Sequence, residues 1–361
     1  MKLKHFFYLV LFVLLFSCNG EYYTATTTTD YFEPVYLSYE KLRSSFAVEP
    51  AKSINNPGKI YTKDQYIFIN EFKKGVHIID NSNPRKPVKI AYLKIPGNVD
   101  IAVRGNVLYA DSFIDLLSIR LKNLNKNRVE IKLSQRLKNA FPYHNPLKER
   151  MPRRRFFRGF RRRGYFKVYA PIDRSKGVVT GFKKVKTDVK ERTYFRRYGV
   201  KYSARKSASS MSKGAGKGGS MARFTLVKNY LYTVDHKWLH VFYVGQGTHP
   251  VKKGKWNAGR LIETIFPYKN YLFMGSEIGM YVYDIKKPEK PQFVSQFRHA
   301  RSYDPVVVQG NTAYVTLRNR WGSGGRLLVI DIKNIVNPVL LKEYFLNNPY
   351  GLAVEGKYLY V

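Results

Sequence analysis

The fold class legible in this chain is all-β: a β-propeller of four-stranded blades, each about 40 residues long. Three observations predict it. A short pair of turn residues recurs, an aromatic-aliphatic strand follows each pair, and a later strand ends on aspartate ahead of proline. A repeat of that length made only of strands is too small to bury its own faces, so each copy has to pack on the next.

The turn pairs are Lys63-Asp64, Gly105-Asn106, Lys228-Asn229, Lys269-Asn270, Gly310-Asn311 and Gly356-Lys357. Such residue types suit the left-handed conformations of tight hairpins. Successive pairs lie 42, 123, 41, 41 and 46 residues apart. The strands that follow include Tyr66-Ile67-Phe68-Ile69, Val107-Leu108-Tyr109-Ala110, Tyr230-Leu231-Tyr232-Thr233 and Tyr271-Leu272-Phe273-Met274. β-Branched and aromatic residues on a pleated strand suit a layer buried between neighbouring blades. The clearest full copy starts after Pro305, turns at Gln309-Gly310-Asn311 and continues through Ala313 to Thr316 and Leu327 to Asp331. It resumes after Pro338 with Val339-Leu340-Leu341.

In three copies the third strand ends on an acid, Asp80, Asp284 or Asp331, with proline downstream. Aspartate at a strand end accepts hydrogen bonds from turn amides and proline cannot continue a paired strand, so the pair is read as punctuation. The copies at Leu117-Ser118-Ile119-Arg120 and Val241-Phe242-Tyr243-Val244 lack the acid, which argues against a ring of catalytic carboxylates.

Leu327-Leu328-Val329-Ile330-Asp331 resembles the core motif of LVIVD-repeat proteins, and Gly218-Gly219-Ser220-Met221-Ala222-Arg223-Phe224 resembles a stretch of the bacterial lipoproteins that carry those repeats. The resemblance spans roughly residues 55–125 and 218–361. It implies an envelope-anchored propeller of unassigned activity, and it supplies no catalytic residue.

The first residues give the expected location. Lys2 and Lys4 precede an apolar run from Phe6 to Phe16, which is too short to span a bilayer and has the length of an export signal. Leu15-Phe16-Ser17-Cys18 resembles a lipobox, in which the cysteine is acylated and becomes the first mature residue. Cys18 is the only cysteine of the 361 residues, so no internal disulfide is available to it and acyl attachment, as with palmitate, is its expected role. Asn19 follows it instead of an aspartate retention signal, which favours the outer over the inner membrane. The expected segments are a signal peptide over 1–17, a Thr-rich tether over 18–45, blades over 46–140, a basic insertion with a Gly/Ser connector over 141–220, and blades over 221–361.

The interval of 123 residues equals three repeats, so it holds either two degenerate copies or an insertion. Composition favours insertion: Lys148 to Lys213 carries 23 Lys and Arg against four acids, about half of the chain's formal charge of +39. Its densest part, with Arg153, Arg154, Arg155, Arg158, Arg161, Arg162 and Arg163 interleaved with Phe and Tyr, cannot enter a propeller core. Those arginines are expected to contact an anionic polymer or a membrane, or to stay solvated; export argues against nucleic acid as the partner.

Signals of catalysis are thin. Gly216-Lys217 lacks the glycine and hydroxyl positions of a nucleotide-binding loop, and neither G-x-S-x-G nor H-E-x-x-H occurs. His236 and His240 are four apart, a spacing that on one strand shares a face, but no third metal ligand accompanies them. No catalytic residue, metal ligand or cofactor is therefore assigned. The last strand, Tyr358-Leu359-Tyr360-Val361, stops inside a blade, which reads as a fragment of a propeller of six to eight blades; the alternative is that residues near 31–53 complete the ring. The expected function is a lipid-anchored envelope module binding a protein or glycan without catalysis. The alternatives are a propeller enzyme acting on glycans and a polyanion binder working through the insertion.

Overall fold

A computed structural model describes residues 20–124, 129–143, 164–197, 222–259, 261–299, 305–318, 324–347, 349 and 351–361. The chain forms two compact units, one from residues 1–39 with 145–210 and one from 40–144 with 211–361. In chain order the elements begin with β1 (Gly20–Leu37) and a short helix α1 (Tyr39–Ser44). Blade one follows with β2 (Ala47–Pro50), β3 (Pro57–Lys63), β4 (Tyr66–Glu71), β5 (Gly75–Asp80) and β6 (Val88–Lys94), and blade two with β7 (Ile101–Arg104), β8 (Val107–Ser112), β9 (Asp115–Lys122) and β10 (Glu130–Leu137). Two strands of the first unit, β11 (Gly164–Tyr169) and β12 (Val178–Arg197), come next.

The larger unit resumes with blade three, β13 (Phe224–Val227), β14 (Tyr230–Val234), β15 (Trp238–Tyr243) and β16 (Val251–Asn257). Blade four has β17 (Ile262–Tyr268), β18 (Tyr271–Ser276), β19 (Gly279–Asp284) and β20 (Gln292–Arg298). Blade five has β21 (Val306–Gln309), β22 (Thr312–Arg318), β23 (Gly325–Asp331) and β24 (Val339–Leu346), and β25 (Ala353–Glu355) with β26 (Tyr358–Tyr360) opens a sixth.

Each blade is an antiparallel meander, in which two-residue turns join the first and second strands and seven-residue connections join the third and fourth. The predicted turns are present, with left-handed backbone at Gly105, Lys228, Lys269, Gly310 and Gly356. In blade one the turn is Asp64-Gln65, one residue later than predicted, which makes the first interval 41. At the end of the third strand in each of the first five blades, an amide closes back onto that turn: Asn81 to Gln65, Leu121 to Asn106, Val244 to Asn229, Ile285 to Asn270 and Ile332 to Asn311.

The arrangement of blades follows from where the core lies. Among the described residues, each large apolar cluster of this unit straddles two consecutive blades. Phe68, Val76 and Ile78 pack on Ile101, Leu108 and Ile119, while Tyr109 and Leu116 pack on Leu231 and Phe242. Tyr232 and Val241 meet Leu272 and Met274, and Phe273 and Val282 meet Val315 and Ile330. First strands are neighbours in sequence order, β3 to β7, β13, β17, β21 and β25. Sheets stacked face to face in order, with their first strands together, are a propeller. Each fully buried Tyr or Phe contributes roughly 1.5–3 kcal/mol of apolar transfer, so blade-to-blade contact holds the unit together. Repeated latches add to it: the Tyr109 hydroxyl donates to Gly247 O at 2.6 Å and the equivalent Tyr232 hydroxyl to Pro288 O at 2.8 Å, each reaching the next blade.

The described residues of the long interval are not two further blades. Blade two is complete at Leu137, and the described residues before β13 belong to the other unit, a three-stranded sheet in the order β11-β1-β12. There β1 runs antiparallel to β12 from Gly20↔Arg197 to Leu37↔Val178 and parallel to β11 from Thr27↔Gly164 to Phe32↔Tyr169. The Thr-rich segment expected as a tether is thus in large part a paired strand, because β-branched Thr suits a pleated sheet as well as a coil. Phe32, Tyr169 and Phe182 form its aromatic nucleus, with ring centroids 5.1 and 5.0 Å apart. Residues 31–53 do not complete the last blade: β2 adds a fifth strand to blade one by pairing with β6.

Candidate functional site

In a meander the first strand starts, and the second strand hands over to the third, at the same face of the blade. At that face of the propeller the inner strands begin with charges of alternating sign: Lys59 in blade one, Asp100 before β7, Arg223 before β13 and Glu263 in β17. Lys59 Nζ lies 2.7 Å from Asp100 Oδ1, both side chains being under 10% exposed, and it donates to Ile101 O at 3.1 Å and Phe224 O at 3.4 Å. Asp100 Oδ2 accepts from the amides of Arg223 and of Phe224, the latter at 2.9 Å, and its Oδ1 from Ile101 N at 2.7 Å. One carboxylate therefore ties three blades together.

Asp111 extends this network. Its Oδ1 accepts from Val99 N at 2.8 Å, Asp100 N at 3.0 Å and Asn98 Nδ2 at 2.8 Å. Burial pushes its carboxyl up to about 6 against those amides, and the Asp100 charge adds to the rise. Glu263 is half-buried, and burial pushes its carboxyl up to about 7. Arg223, His236 and Arg318 oppose that shift and Glu277 reinforces it, so blades three, four and five all place charge around one carboxyl. A group poised between forms near neutral pH, among cations and a second acid, is equipped to bind a polar ligand or to exchange a proton with one.

Third strands start on glycine in three blades for a steric reason. A Cβ on Gly75 would stand 2.0 Å from Leu93 O, on Gly279 2.3 Å from Phe297 O, and on Gly325 2.3 Å from Pro349 Cδ. At the other end, Asp80, Asp284 and Asp331 each accept the amide two residues on, at 2.8, 2.6 and 2.8 Å, from Ser82, Lys286 and Lys333. Glycine start, apolar run and turn-capping aspartate make one unit of sequence. The family model that describes it, the LVIVD repeat, matches residues 58–91 and 300–345. The chain carries LVIVD repeats. No curated protein matches it. Among solved structures it is similar to a functionally unknown protein from Desulfotomaculum acetoxidans, with a TM-score of 0.45, 10% identity, and coverage of 81% of this chain and 70% of that one. It is also similar to Kuenenia stuttgartiensis hydrazine synthase, with a TM-score of 0.46, 14% identity, and coverage of 86% and 74%. A third is Kluyveromyces lactis Hsv2, with a TM-score of 0.38, 9% identity, and coverage of 80% and 73%. Likeness at this level bears on neither ligand nor activity.

The LVIVD aspartates are thus turn caps, as their strand-end position predicts. Cys18 and the arginines 153, 154, 155, 158, 161, 162 and 163 lie outside the described residues. The histidine pair is split: His236 sits in the turn after β14, while buried His240 is on β15 with Nε2 2.9 Å from Asp235 Oδ2. His77 holds the equivalent place in blade one, buried, with Nε2 2.8 Å from Glu71 Oε2. Burial pushes the Glu71 carboxyl up, but hydrogen bonds from His77 and Lys74 outweigh it and hold the group below its ordinary range. Among the described residues no cluster of three His, Cys, Asp or Glu has the grouping of a metal site.

Lys59, Asp100, Asp111, Arg223 and Glu263 escaped the sequence reading because they lie up to 204 positions apart and outside every strand motif. Their one signal was position, five or six residues ahead of a recurring turn at Asp100, Arg223 and Glu263.

Proposed function

We propose that this LVIVD-repeat protein is a lipid-anchored module of the cell envelope, in the outer membrane, whose propeller binds a glycan or protein at the face where the inner strands begin. The observation that carries the reading is the convergence at that face of Arg223, His236, Glu263, Glu277 and Arg318 from three blades. Loops of several blades meeting at one end of the inner strands present a composite polar surface, and alternating charge gives donors and acceptors to hydroxyl-rich or zwitterionic ligands. The anchor rests on the apolar run ending at Cys18.

The test combines two measurements. Metabolic labelling with palmitate followed by envelope fractionation is expected to give a labelled outer-membrane protein, with the label lost in Cys18→Ala. Titration with envelope glycans and peptides is expected to give binding that Arg223→Gln and Glu263→Gln each weaken about tenfold, as loss of a charged hydrogen bond does. Binding untouched by both substitutions would move the site elsewhere.

One observation favours a second reading. Burial pushes the Glu263 carboxyl up to about 7 within electrostatic reach of Glu277, and a raised carboxylic acid near a second carboxyl is the equipment of glycoside hydrolysis. On this reading Glu263 donates the proton to the leaving oxygen. Hydrolysis of a bound glycan that is abolished in Glu263→Gln, with binding retained, would select it.

A further inference from the structure

We infer, resting on the site proposed above, that its ligand is an acidic glycan, whose uronic-acid carboxylate is forked by the Arg223 guanidinium and takes a second hydrogen bond from Glu263.

Two backbone hydrogen bonds bracket Glu263. Ile262 N donates to His236 O at 3.1 Å and Ile265 N to Ala222 O at 2.8 Å, so the residues between them stand against the segments of blade three that carry His236 and Arg223. Within blade four, Glu277 N donates to Leu261 O at 3.2 Å and brings the β18–β19 turn alongside. Glu263 also falls where the pairing of β17 with β18 slips by one residue, between Ile262↔Ser276 and Thr264↔Gly275. Such a bulge leaves its extra residue unpaired and re-aims the side chain. Ile262 and Thr264 on either side are buried, while Glu263 is half-buried. The first strand of blade one slips as well, between Pro57↔Glu71 and Ile60↔Ile69, and Lys59 lies in that slip. There the charge is spent on Asp100.

At Glu263 it is not spent. Among the described residues, the Arg223 guanidinium and the carboxyls of Glu263 and Glu277 make no hydrogen bond and no ion pair. Arg223 is nonetheless fixed at its backbone, with its amide on Asp100 Oδ2 and its carbonyl accepting from Val234 N at 2.9 Å. A guanidinium held in place with its donors open is a fork for carboxylate or phosphate. Charge decides between them. Arg223 and Arg318 are opposed by Glu277, and Asp111 shares the field of Arg223, so the site neutralises the single charge of a carboxylate and not the double charge of a phosphate monoester. Burial pushes the Glu263 carboxyl up to about 7, and a protonated carboxyl donates to an anion that an ionised one would repel. Glu277 is left as an acceptor for a hydroxyl. An acidic sugar carries both groups on one ring, whereas an acidic peptide side chain brings no hydroxyl with its carboxylate. The ligand's charge raises the Glu263 pKa further, so binding takes up a proton.

The test is isothermal titration calorimetry of the full chain in neutral detergent, with trigalacturonate, its methyl ester, a chitosan trimer and tetraglutamate as probes. Trigalacturonate is expected to bind about tenfold more weakly at pH 8 than at pH 6, because the protonated fraction of a group titrating at about 7 falls from about nine-tenths to about one-tenth. Buffers of different ionisation heat should report uptake of about half a proton at pH 7. The methyl ester should bind at least about tenfold more weakly than the acid, and Arg223→Gln should remove that difference. Glu263→Gln should leave binding about tenfold weaker, without proton uptake and unchanged between pH 6 and pH 8. Equal binding of acid and ester, proton release in place of uptake, tighter binding of the chitosan trimer or tetraglutamate, or no binding of any probe would overturn the inference. Failure of the site reads differently. Tetraglutamate or methyl ester binding that is lost in Arg223→Gln would keep the site and change its ligand, whereas trigalacturonate binding untouched by both substitutions would remove the site itself.

Discussion

Replacing Asp100 with Asn removes the charge that joins three blades while keeping the side chain's shape. Lys59 is 8% exposed and its carboxylate partner 3%, so the variant leaves an ammonium buried with only carbonyl acceptors. Breaking a buried pair from one side costs about 3–5 kcal/mol. The amides of Arg223 and Phe224, both served by Asp100 Oδ2, would face an amide nitrogen in the variant, which adds to the loss. Lys59→Met should cost less, about 2 kcal/mol, because Asp100 keeps three backbone donors. Once both charges are gone the buried ammonium no longer weighs on the fold, so the double variant should be about 2 kcal/mol more stable than the sum of the singles predicts. Urea unfolding followed by the fluorescence of Trp238 and Trp256, in the blade that Asp100 clamps, measures all three. A cost below about 1 kcal/mol for Asp100→Asn, or additivity within about 0.5 kcal/mol, would refute the clamp.

Asp111 and Glu263 have folded pKa values above their free ones, about 6 and about 7, so the stability they contribute is complete below about pH 4 and fades as pH rises through those values. Calorimetry should show Asp111→Asn and Glu263→Gln raising the thermal midpoint relative to wild type at about pH 8, with the gain shrinking by about pH 5. Glu71 has the opposite sign: its carboxyl is held low, so its contribution is present above about pH 4.5 and lost as pH falls further. Glu71→Gln should therefore destabilise by about 2–3 kcal/mol at neutral pH, with a smaller difference near pH 3 by urea titration. Gly279→Ala drives a methyl toward Phe297 O and should cost several kcal/mol, whereas Gly105→Ala, with open space around the new methyl, should cost only the left-handed backbone term of about 1–2 kcal/mol.

The blades were legible because they repeat. Turn chemistry at Gly105, Lys269 and Gly310, with aromatic-aliphatic strands behind it, sets a period that no single blade would reveal. Composition likewise spoke against two hidden blades, since a segment so rich in arginine cannot be stacked between sheets. Pairing of β1 with β12 was not legible. Thr24 to Thr29 has the composition of a linker, and its partner strand begins at Val178, so nothing local announces the match. The site at the inner-strand face was hidden for a related reason. Lys59 and Asp100 look like ordinary surface charges in sequence, and only the stacking of blades one to three brings them to 2.7 Å.

The pairing of β1 with β12 also sets an order of events in the making of the molecule. The first strand to leave the ribosome finds its partner only after about 150 further residues, so blades one and two are complete in the chain while β1 still has open hydrogen-bonding edges. Closing so long a loop is slow, and an unpaired strand of 18 residues is exposed to other chains during that wait. Its central run from Thr24 to Thr29 carries no large apolar side chain, which keeps the middle of the waiting strand soluble. Closing of β1 onto β12 therefore follows the synthesis of blades one and two and can precede that of the blades from β13 onward.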